Sequence, residues 1–309
     1  MSFSYSVKKE LCSLITDRDK KYACLYGMLL FCKQFSRESI AFQTENDMAA
    51  ELFSNLTDDV LGCKNAVAVT KSEKKNKAAV YLLTVDSQKD RDELIYRYHI
   101  SNNNFHRIHK DVIDNNNIYT FLAGAFLSCG SITEPIKEYH LEFVVSFSEL
   151  AEDLLLLIQS LGISAKLTER KGASVIYLKE SESIEDLLTV MGATVSSIEL
   201  MNVKIYKDVR NKANRIANCD AANIERTLKA SEKQIKDIEY IAATIGLDSL
   251  AKELANIAEV RLENPDCSLK ELGEMLDKPL GRSGANHRLR KISAIADELR
   301  LKNKDKSYE

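Results

Sequence analysis

The sequence of 309 residues lacks any hydrophobic run of the length that a membrane span needs. A transmembrane helix requires about 20 consecutive apolar residues, whereas the longest apolar stretch, LLLLIQSLGI, is interrupted by polar residues and is typical of a soluble helix. The opening residues, MSFSYSVKKELCSL, contain no apolar core of the kind found in secretion signals. We therefore expect a cytoplasmic protein without membrane contacts.

The sequence also lacks closely spaced cysteine pairs. Its seven cysteines include no Cys-x-x-Cys motif, which argues against a zinc site and indicates reduced, mostly buried thiols. Three histidines, His99, His106 and His109, lie close together in the sequence. No cysteine stands in register with them and a fourth ligand is missing, so we predict neither a metal nor another cofactor.

Net charge is nearly absent, at −3 for the whole chain. Residues 1–204 hold 23 Lys and Arg against 28 Asp and Glu, whereas residues 205–309 hold 20 against 18. Residues 278–304 alone hold 8 basic against 2 acidic residues, a net charge of +6. The composition therefore excludes a strong overall field that would attract nucleic acid, and concentrates positive charge near the C-terminus.

An internal repeat covers residues 1–204. Tyr22 to Gly27 (YACLYG) resembles Tyr119 to Gly124 (YTFLAG), 97 positions further on. Three further matches keep the same order, between 42–52 and 144–154, 61–62 and 161–162, and 79–87 and 175–183. A duplicated domain explains this order; the alternative is chance similarity between two α/β stretches.

Each half is predicted to have the element order αββαββα. An apolar helix near 20–33 or 118–129 comes first, followed by alternating strand residues (SIAFQTE or YHLEFVVSF). A helix then begins at Asn46 or Ser148, and a hairpin and a final helix complete the half.

Residues 99–118 are predicted to link the halves. Their asparagine triplets favour turns. Four residues, His106, Arg107, His109 and Lys110, suit phosphate contact, but a solvated linker is the favoured interpretation.

Residues 205–309 carry helical periodicity only, and residues 268–300 have the pattern of a helix-turn-helix. Ser268 and Glu271 form a capping box, Pro279 and Gly281 break the first helix, and a second helix begins near Ser283. The predicted buried face of the second helix comprises Ala285, Leu289, Ile292, Ala296 and Leu299.

The opposite face of this helix is polar and basic, as a major-groove contact requires. Ser283, Asn286, His287 and Arg290 recur at helical spacing. Asn suits adenine and Arg suits guanine, while flanking cations can neutralise phosphates. The flanking cations are Lys278, Arg282, Arg288 and Lys291. The alternative is an ordinary amphipathic helix with a solvated basic face.

Several motifs together resemble the WhiA family of bacterial DNA-binding proteins. They include FLAGAFLSCGSITEP, NCDAANIERTL and GRSGANHRLRKI, and the resemblance covers nearly the whole chain. It implies an α+β fold in which a pseudo-twofold LAGLIDADG-homing-endonuclease-like domain precedes an all-α helix-turn-helix domain. It also implies a transcriptional regulator of cell division, chromosome segregation and sporulation, associated with the nucleoid. The implied domain limits are 1–98, 99–118 (linker), 119–204 and 205–309.

The resemblance also suggests that catalytic acids have been lost. In LAGLIDADG enzymes, two helices pack at the pseudo-twofold axis and each ends in an acid that holds a divalent metal. Aligning that motif places Gly27 and Gly124 between the helices and puts Cys32 and Cys129 where the acids stand. Thiols are poor ligands for Mg²⁺, so we expect no nuclease activity. The nearby Glu38 and Glu134 follow the helix ends and are weak candidates for a replacement metal site.

The sequence therefore favours a non-enzymatic protein that binds double-stranded DNA. One alternative is a residual LAGLIDADG endonuclease. Another is a scaffold whose duplicated domain binds a sigma factor or a division protein, which the net charge of −5 on residues 1–204 favours over tight DNA binding by that domain.

Overall fold

The computed structural model describes residues 2–73, 78–100, 105–113 and 117–305. By its internal contacts the chain divides into two units, Met1–Val209 and Arg210–Glu309.

The first unit contains two halves with the same order of helices and strands. After an N-terminal helix α1 (Phe3–Ser13), the first half comprises α2 (Arg18–Leu30), β1 (Gln34–Phe35), β2 (Ile40–Thr44), α3 (Asp47–Leu61), β3 (Ala68–Ser72), β4 (Val80–Thr84) and α4 (Gln88–Arg97). The second half comprises α5 (Ile118–Cys129), β5 (Gly130–Ile132), β6 (Leu141–Val145), α6 (Ser148–Ser160), β7 (Lys166–Arg170), β8 (Ala173–Leu178) and α7 (Ser181–Met191). The predicted order αββαββα is therefore confirmed in both halves.

The two sheets have equivalent topologies. Their strand orders are β1-β2-β4-β3 and β5-β6-β8-β7, and every neighbouring pair is antiparallel. The central pairs bring Ala41 opposite Thr84 and Leu141 opposite Leu178. Because the two halves share both the order of their helices and strands and the topology of their sheets, the structure confirms the internal repeat that the sequence indicated.

Local signals explain where α3 and α6 begin. The side chain of Asn46 caps α3 by accepting a hydrogen bond from Ala49 N at 2.9 Å, as an N-cap residue does. Gly62 then ends this helix with a left-handed conformation at φ 71°, which glycine adopts without strain. In the second half, Ser148 is the first helical residue, and Phe147 precedes it without a side-chain cap.

One hydrophobic core joins the two halves. Side chains from both central helices and both sheets are buried in the same cluster, including Leu25, Phe42, Phe121 and Phe143. The halves are therefore one folding domain and not two independent ones, since neither buries its central helix alone.

The part of the predicted linker from 105 to 113 packs against the first unit. Arg107 pairs with Asp153 at 2.9 Å, and the ring of His106 stacks on Phe147. His106 and Arg107 therefore have partners on this domain, which the interpretation as a solvated linker did not anticipate, and the limits of the linker stay a prediction. The asparagine triplets lie mostly outside the described residues.

The all-helical region predicted for residues 205–309 begins within α8 (Thr194–Thr244), the longest helix among the described residues. It comprises α8, α9 (Lys252–Glu263), α10 (Leu269–Glu274) and α11 (Arg282–Asp305). No glycine or proline occurs between Gly192 and Gly246, so nothing in the backbone interrupts α8. The predicted domain limit at residue 204 therefore falls within a continuous helix, and the domain limits remain a proposal.

The C-terminal unit has a hydrophobic core of its own. Ile238 and Ile241 of α8 and Ile257 of α9 are buried with Leu272 and Leu289. This cluster packs α10 and α11 against α8 and α9, which gives the two C-terminal helices a rigid support.

Candidate functional site

The first helix of the helix-turn-helix begins with the predicted capping box. The Oγ of Ser268 accepts a hydrogen bond from Glu271 N at 3.3 Å, while Ser268 N donates to Glu271 Oε2 at 2.8 Å. These two bonds satisfy backbone donors that a helix start would otherwise leave free. The sequence-based prediction of this helix start is confirmed.

A glycine allows the turn after α10 to fold back on that helix. Leu280 N donates to Gly273 O at 2.9 Å. A Cβ atom at Gly273 would lie 2.2 Å from Leu280 O, closer than atoms can approach. The connection from α10 to α11, residues 275–281, therefore depends on the missing side chain at Gly273.

The buried face of α11 matches the predicted one. Ala285, Leu289, Ile292 and Ala296 are all at most 1% exposed, and Leu299 is partly buried. This stripe fixes the rotation of α11 about its axis. At 24 residues, α11 begins one residue before the predicted start and continues past the predicted motif end at 300, because no helix breaker follows Gly284.

The opposite face of α11 is open to solvent. Ser283, His287 and Arg290 are exposed, and Asn286 is partly exposed. Arg282 at the helix start, Lys291 and the turn residue Lys278 are also exposed. Their side chains are thus available to a ligand along one side of the helix and at its N-terminal end.

Arg288 is placed differently from the other predicted DNA-binding residues. Its Nη2 donates to Glu253 Oε2 of α9 at 2.9 Å, and only 17% of its side chain is exposed. Arg300 is similarly engaged, with Nη1 2.7 Å from the buried carboxylate of Asp237. Part of the C-terminal positive charge therefore stabilises the packing of the helices.

In the first unit, Gly27 and Gly124 lie where α2 and α5 touch backbone to backbone. A Cβ atom on Gly27 would lie 2.3 Å from Phe121 O, and one on Gly124 would lie 2.1 Å from Cys24 O. Such distances leave no room for any side chain. Ser128 strengthens the same contact by donating from its Oγ to Met28 O at 2.8 Å.

Cys32 and Cys129 lie near the C-terminal ends of these two helices. The Cys32 thiol, just after α2, donates to Gln34 O at 2.9 Å, and the Cys129 thiol donates to Ala125 O at 3.4 Å. Burial raises the pKa of each thiol to about 12. Both are therefore neutral at physiological pH, and a neutral thiol is a poor ligand for a hard divalent cation.

A lysine from α1 occupies the end of α5, which the sequence did not indicate. Lys8 Nζ donates to Leu127 O at 3.1 Å and lies 5.8 Å from the centre of the Phe126 ring. Burial lowers the pKa of Lys8, and the neighbouring Cys129 is the main influence that opposes this effect. No local sequence pattern signals this contact, because Lys8 and Leu127 are 119 positions apart.

The two glutamates considered as replacement metal ligands have other surroundings. Glu134 Oε1 accepts a hydrogen bond from Phe3 N of α1 at 2.6 Å. Glu38 is exposed, and its hydrogen bond to the Ser36 side chain lowers the pKa of its carboxyl group. Within the described residues, no three His, Cys, Asp or Glu side chains are grouped closely enough to hold a metal ion. No helix in that part of the chain has the length and apolar character to cross a membrane.

Comparison with known proteins gives matches over both units. A family model of the WhiA LAGLIDADG-like domain matches residues 118–210, and one of the WhiA C-terminal HTH domain matches residues 213–296. The "Probable cell division protein WhiA" of Clostridium perfringens (strain 13 / Type A) is 40% identical over 98% of this chain and 100% of its own length. Its namesake in Clostridium botulinum (strain Eklund 17B / Type B) is 39% identical over the same shares.

A solved structure extends this likeness to the fold. Full-length DUF199/WhiA from Thermotoga maritima has 25% sequence identity and a TM-score of 0.57, and the match covers 96% of this chain and 99% of that one. The α+β fold with a LAGLIDADG-like domain before a helix-turn-helix domain is therefore shared with a solved relative.

Proposed function

This chain belongs to the WhiA family, and from that premise we propose that it is a non-enzymatic, sequence-specific DNA-binding protein. We further propose that it regulates transcription in cell division, chromosome segregation and sporulation, and that it works in the cytoplasm on the nucleoid. The name of its clostridial relatives, "Probable cell division protein WhiA", supports the first of these processes.

The observation that carries the proposal is the exposed polar face of α11. Its back is fixed by buried Ala285 and Leu289, while Arg290 points its charge to solvent. A major groove admits one α-helix, whose N-terminal residues reach the base edges. In this assignment Asn286 reads adenine and Arg290 reads guanine.

Neighbouring cations would hold the helix on the DNA backbone. Lys278, Arg282 and Lys291 are exposed around the same face, and phosphate contacts of this kind fix the register of a protein on the duplex. Arg288 was predicted to take part, but its ion pair with Glu253 competes with that role.

The surroundings of α5 support the absence of DNA cleavage. The resemblance to LAGLIDADG enzymes assigns the metal-binding acids to Cys32 and Cys129, whose thiols are neutral. Lys8 Nζ donates to Leu127 O at the end of α5, so a hydrogen-bond donor and not an acidic ligand lies beside that helix end. A residual endonuclease is the alternative, and incubating supercoiled plasmid with the protein and Mg²⁺ separates the two.

The test of DNA binding begins with genomic fragments retained by the protein at rising salt and then sequenced. On a recovered site, Arg290→Ala should cost about 1–3 kcal/mol in specific binding. Lys291→Ala should weaken specific and random duplexes alike and lower the salt dependence. If Arg290→Ala binds the recovered site and random DNA as the wild type does, α11 is not the reading helix.

An apolar stripe at the start of α8 favours a second function. This function is the binding of a protein such as a sigma factor or a division protein. Val195, Ile198, Ile205 and Val209 are all at least 57% exposed, and exposed apolar stripes of this kind mark protein contacts. Loss of a co-purified partner on Ile205→Glu, with DNA binding unchanged, would support it.

A further inference from the structure

A pocket of about 570 Å³ with several basic side chains in its lining lies within the C-terminal unit, beside the first residue of α11. All four helices of the unit, α8 to α11, contribute to its walls. None of the described residues that line it is acidic. Its polar lining includes Asn223, Arg226, Thr227, Arg261, Lys270 and Arg282.

Arg261 is a buried cation, and no carboxylate of the described residues forms an ion pair with its guanidinium. This residue is 1% exposed, and its Nη1 donates to Cys267 O at 2.8 Å and to Pro265 O at 3.4 Å. Its remaining partners, Ser231 and Asn264, are also neutral oxygens, and its Nε has no partner. Neutral dipoles hold the side chain in place but leave its charge uncompensated, so the wall of the pocket is electropositive.

Other cations line the same pocket and are not neutralised locally. Among the described residues, neither Arg226 nor Arg282 takes part in an ion pair, and both are exposed. Lys270 has only a distant contact, 3.9 Å from Glu274 on the exposed side of α10. Four cations around one concave surface, with no acid among its lining residues, suit a phosphate group.

The α8 wall groups one of these cations with two neutral polar side chains on one helical face. Asn223, Arg226 and Thr227 stand at positions i, i+3 and i+4, so their side chains lie together. They belong to NCDAANIERTL, a motif that the recognition helix does not use. Amide, guanidinium and hydroxyl side chains are among those that contact DNA phosphates.

We propose that this pocket holds one backbone phosphate of the duplex that α11 reads, so that α8 forms part of the DNA-binding surface. The proposal rests on the proposed function. A DNA phosphate is favoured over a free one because Arg282 belongs both to the pocket and to the first turn of α11. In helix-turn-helix proteins the N-terminal end of the recognition helix enters the groove, and the backbone passes beside it.

Arg226→Ala in the full-length protein tests the proposal, because Arg226 is exposed and its loss should leave the fold intact. The matched control is Lys233→Ala, which removes one exposed cation from the same helix outside the pocket. Binding of a short random-sequence duplex is titrated between about 0.05 and 0.2 M salt. One lost phosphate contact should lower the slope of log affinity against log salt by about 0.9 and weaken binding about fivefold at 0.15 M.

The same loss is expected on a recovered specific site, so the ratio of specific to random affinity should not change. If Arg226→Ala behaves as Lys233→Ala does while Arg290→Ala lowers the ratio of specific to random affinity, the pocket proposal is wrong and the proposed function stands. If neither Arg226→Ala nor Arg290→Ala affects DNA binding, the proposed function itself fails.

A titration with inorganic phosphate tests whether the pocket binds a free phosphate compound instead of a DNA phosphate. Millimolar sodium phosphate is added to the wild type and to Arg226→Ala at constant ionic strength, and the melting temperature of each is measured. Stabilisation of the wild type alone, with an unchanged DNA salt slope in Arg226→Ala, would show a pocket for a free phosphate compound and would overturn the proposal.

Discussion

Replacing Gly124 by alanine tests the contact between the central helices with the smallest possible side chain. The added Cβ would stand 2.1 Å from Cys24 O, 3.0 Å from Cys24 C and 3.1 Å from Met28 N. All three atoms belong to the backbone of α2, so no side-chain rotation relieves the clash. The helices must separate or the backbone must bend.

The magnitude follows from two opposing effects. Overfilling a packed core costs typically about 1–3 kcal/mol, and a clash with backbone at 2.1 Å belongs at the upper end. Alanine in place of glycine within a helix recovers roughly 1 kcal/mol. We therefore expect Gly124→Ala to lower the free energy of unfolding by about 2 kcal/mol, and Gly124→Leu by more.

Hydrogen exchange of the full-length protein measures this loss within the first unit. The chain has no tryptophan, and exchange read by mass spectrometry reports peptides of α2 and α5 separately from those of α9 and α11. A loss of about 2 kcal/mol corresponds to roughly 30-fold faster exchange of the most protected amides. Peptides of α9 and α11 should be unaffected.

Gly284→Ala is the control, because it also places alanine in a helix but meets only the Leu280 side chain, at 3.4 Å or more. It should be neutral or stabilising by up to about 1 kcal/mol. Gly27→Ala should resemble Gly124→Ala, since its Cβ would lie 2.3 Å from Phe121 O. Combining both should cost less than their sum, because the first substitution already separates the helices. Unchanged or slower exchange in Gly124→Ala would refute the close backbone contact.

Three further predictions concern the thiols and the basic residues. Replacing Cys32 and Cys129 together by aspartate should lower the stability of the protein, because both thiols occupy buried surroundings. The variant should not nick supercoiled plasmid in Mg²⁺, and nicking would contradict the reasoning. Burial raises the pKa of both thiols to about 12, above the unfolded value of about 8.5. The stability that the neutral thiols contribute is therefore complete below pH 8.5 and is lost as the pH rises towards 12, by up to about 1.4 kcal/mol per pH unit and thiol. Cys129→Ala should flatten the fall in melting temperature over this pH range, and an unchanged slope would count against the argument. Arg288→Ala should change stability by less than about 1 kcal/mol and leave the salt slope of DNA binding unchanged, whereas a slope lower by about 0.9 would assign Arg288 to a phosphate.

Features that depend on neighbouring residues could be predicted from the sequence. The capping box at Ser268, the buried face of α11 and the repeated element order all follow from short-range spacing. The packing of the two apolar helices against each other was implied by the resemblance to the WhiA family and not by the repeat itself.

Features that depend on distant residues could not be predicted. Lys8 reaches Leu127 only because α1 packs on the second half, and the pocket around Arg261 forms only when α8, α9, α10 and α11 meet. The ion pair of Arg288 with Glu253 is also a tertiary contact, so counting charge in residues 278–304 overstated how many cations face solvent. The length of α8, by contrast, could have been predicted from neighbouring residues, because glycine and proline are absent from 193 to 245. The change from mixed to helical periodicity near residue 204 instead suggested a domain limit there.

The two glycines and the two cysteines show which positions the packing of this LAGLIDADG-like fold requires. Gly27 and Gly124 are required by distances of 2.3 Å and 2.1 Å to backbone atoms, so any other residue there disrupts the core. An acid at the end of such a helix is required only by the metal, and without the metal two nearby carboxylates repel each other. Neutral thiols remove that repulsion and leave the helix contact intact. Because the fold depends on the glycines and not on acids at the helix ends, replacing those acids leaves the packing of α2 against α5 intact.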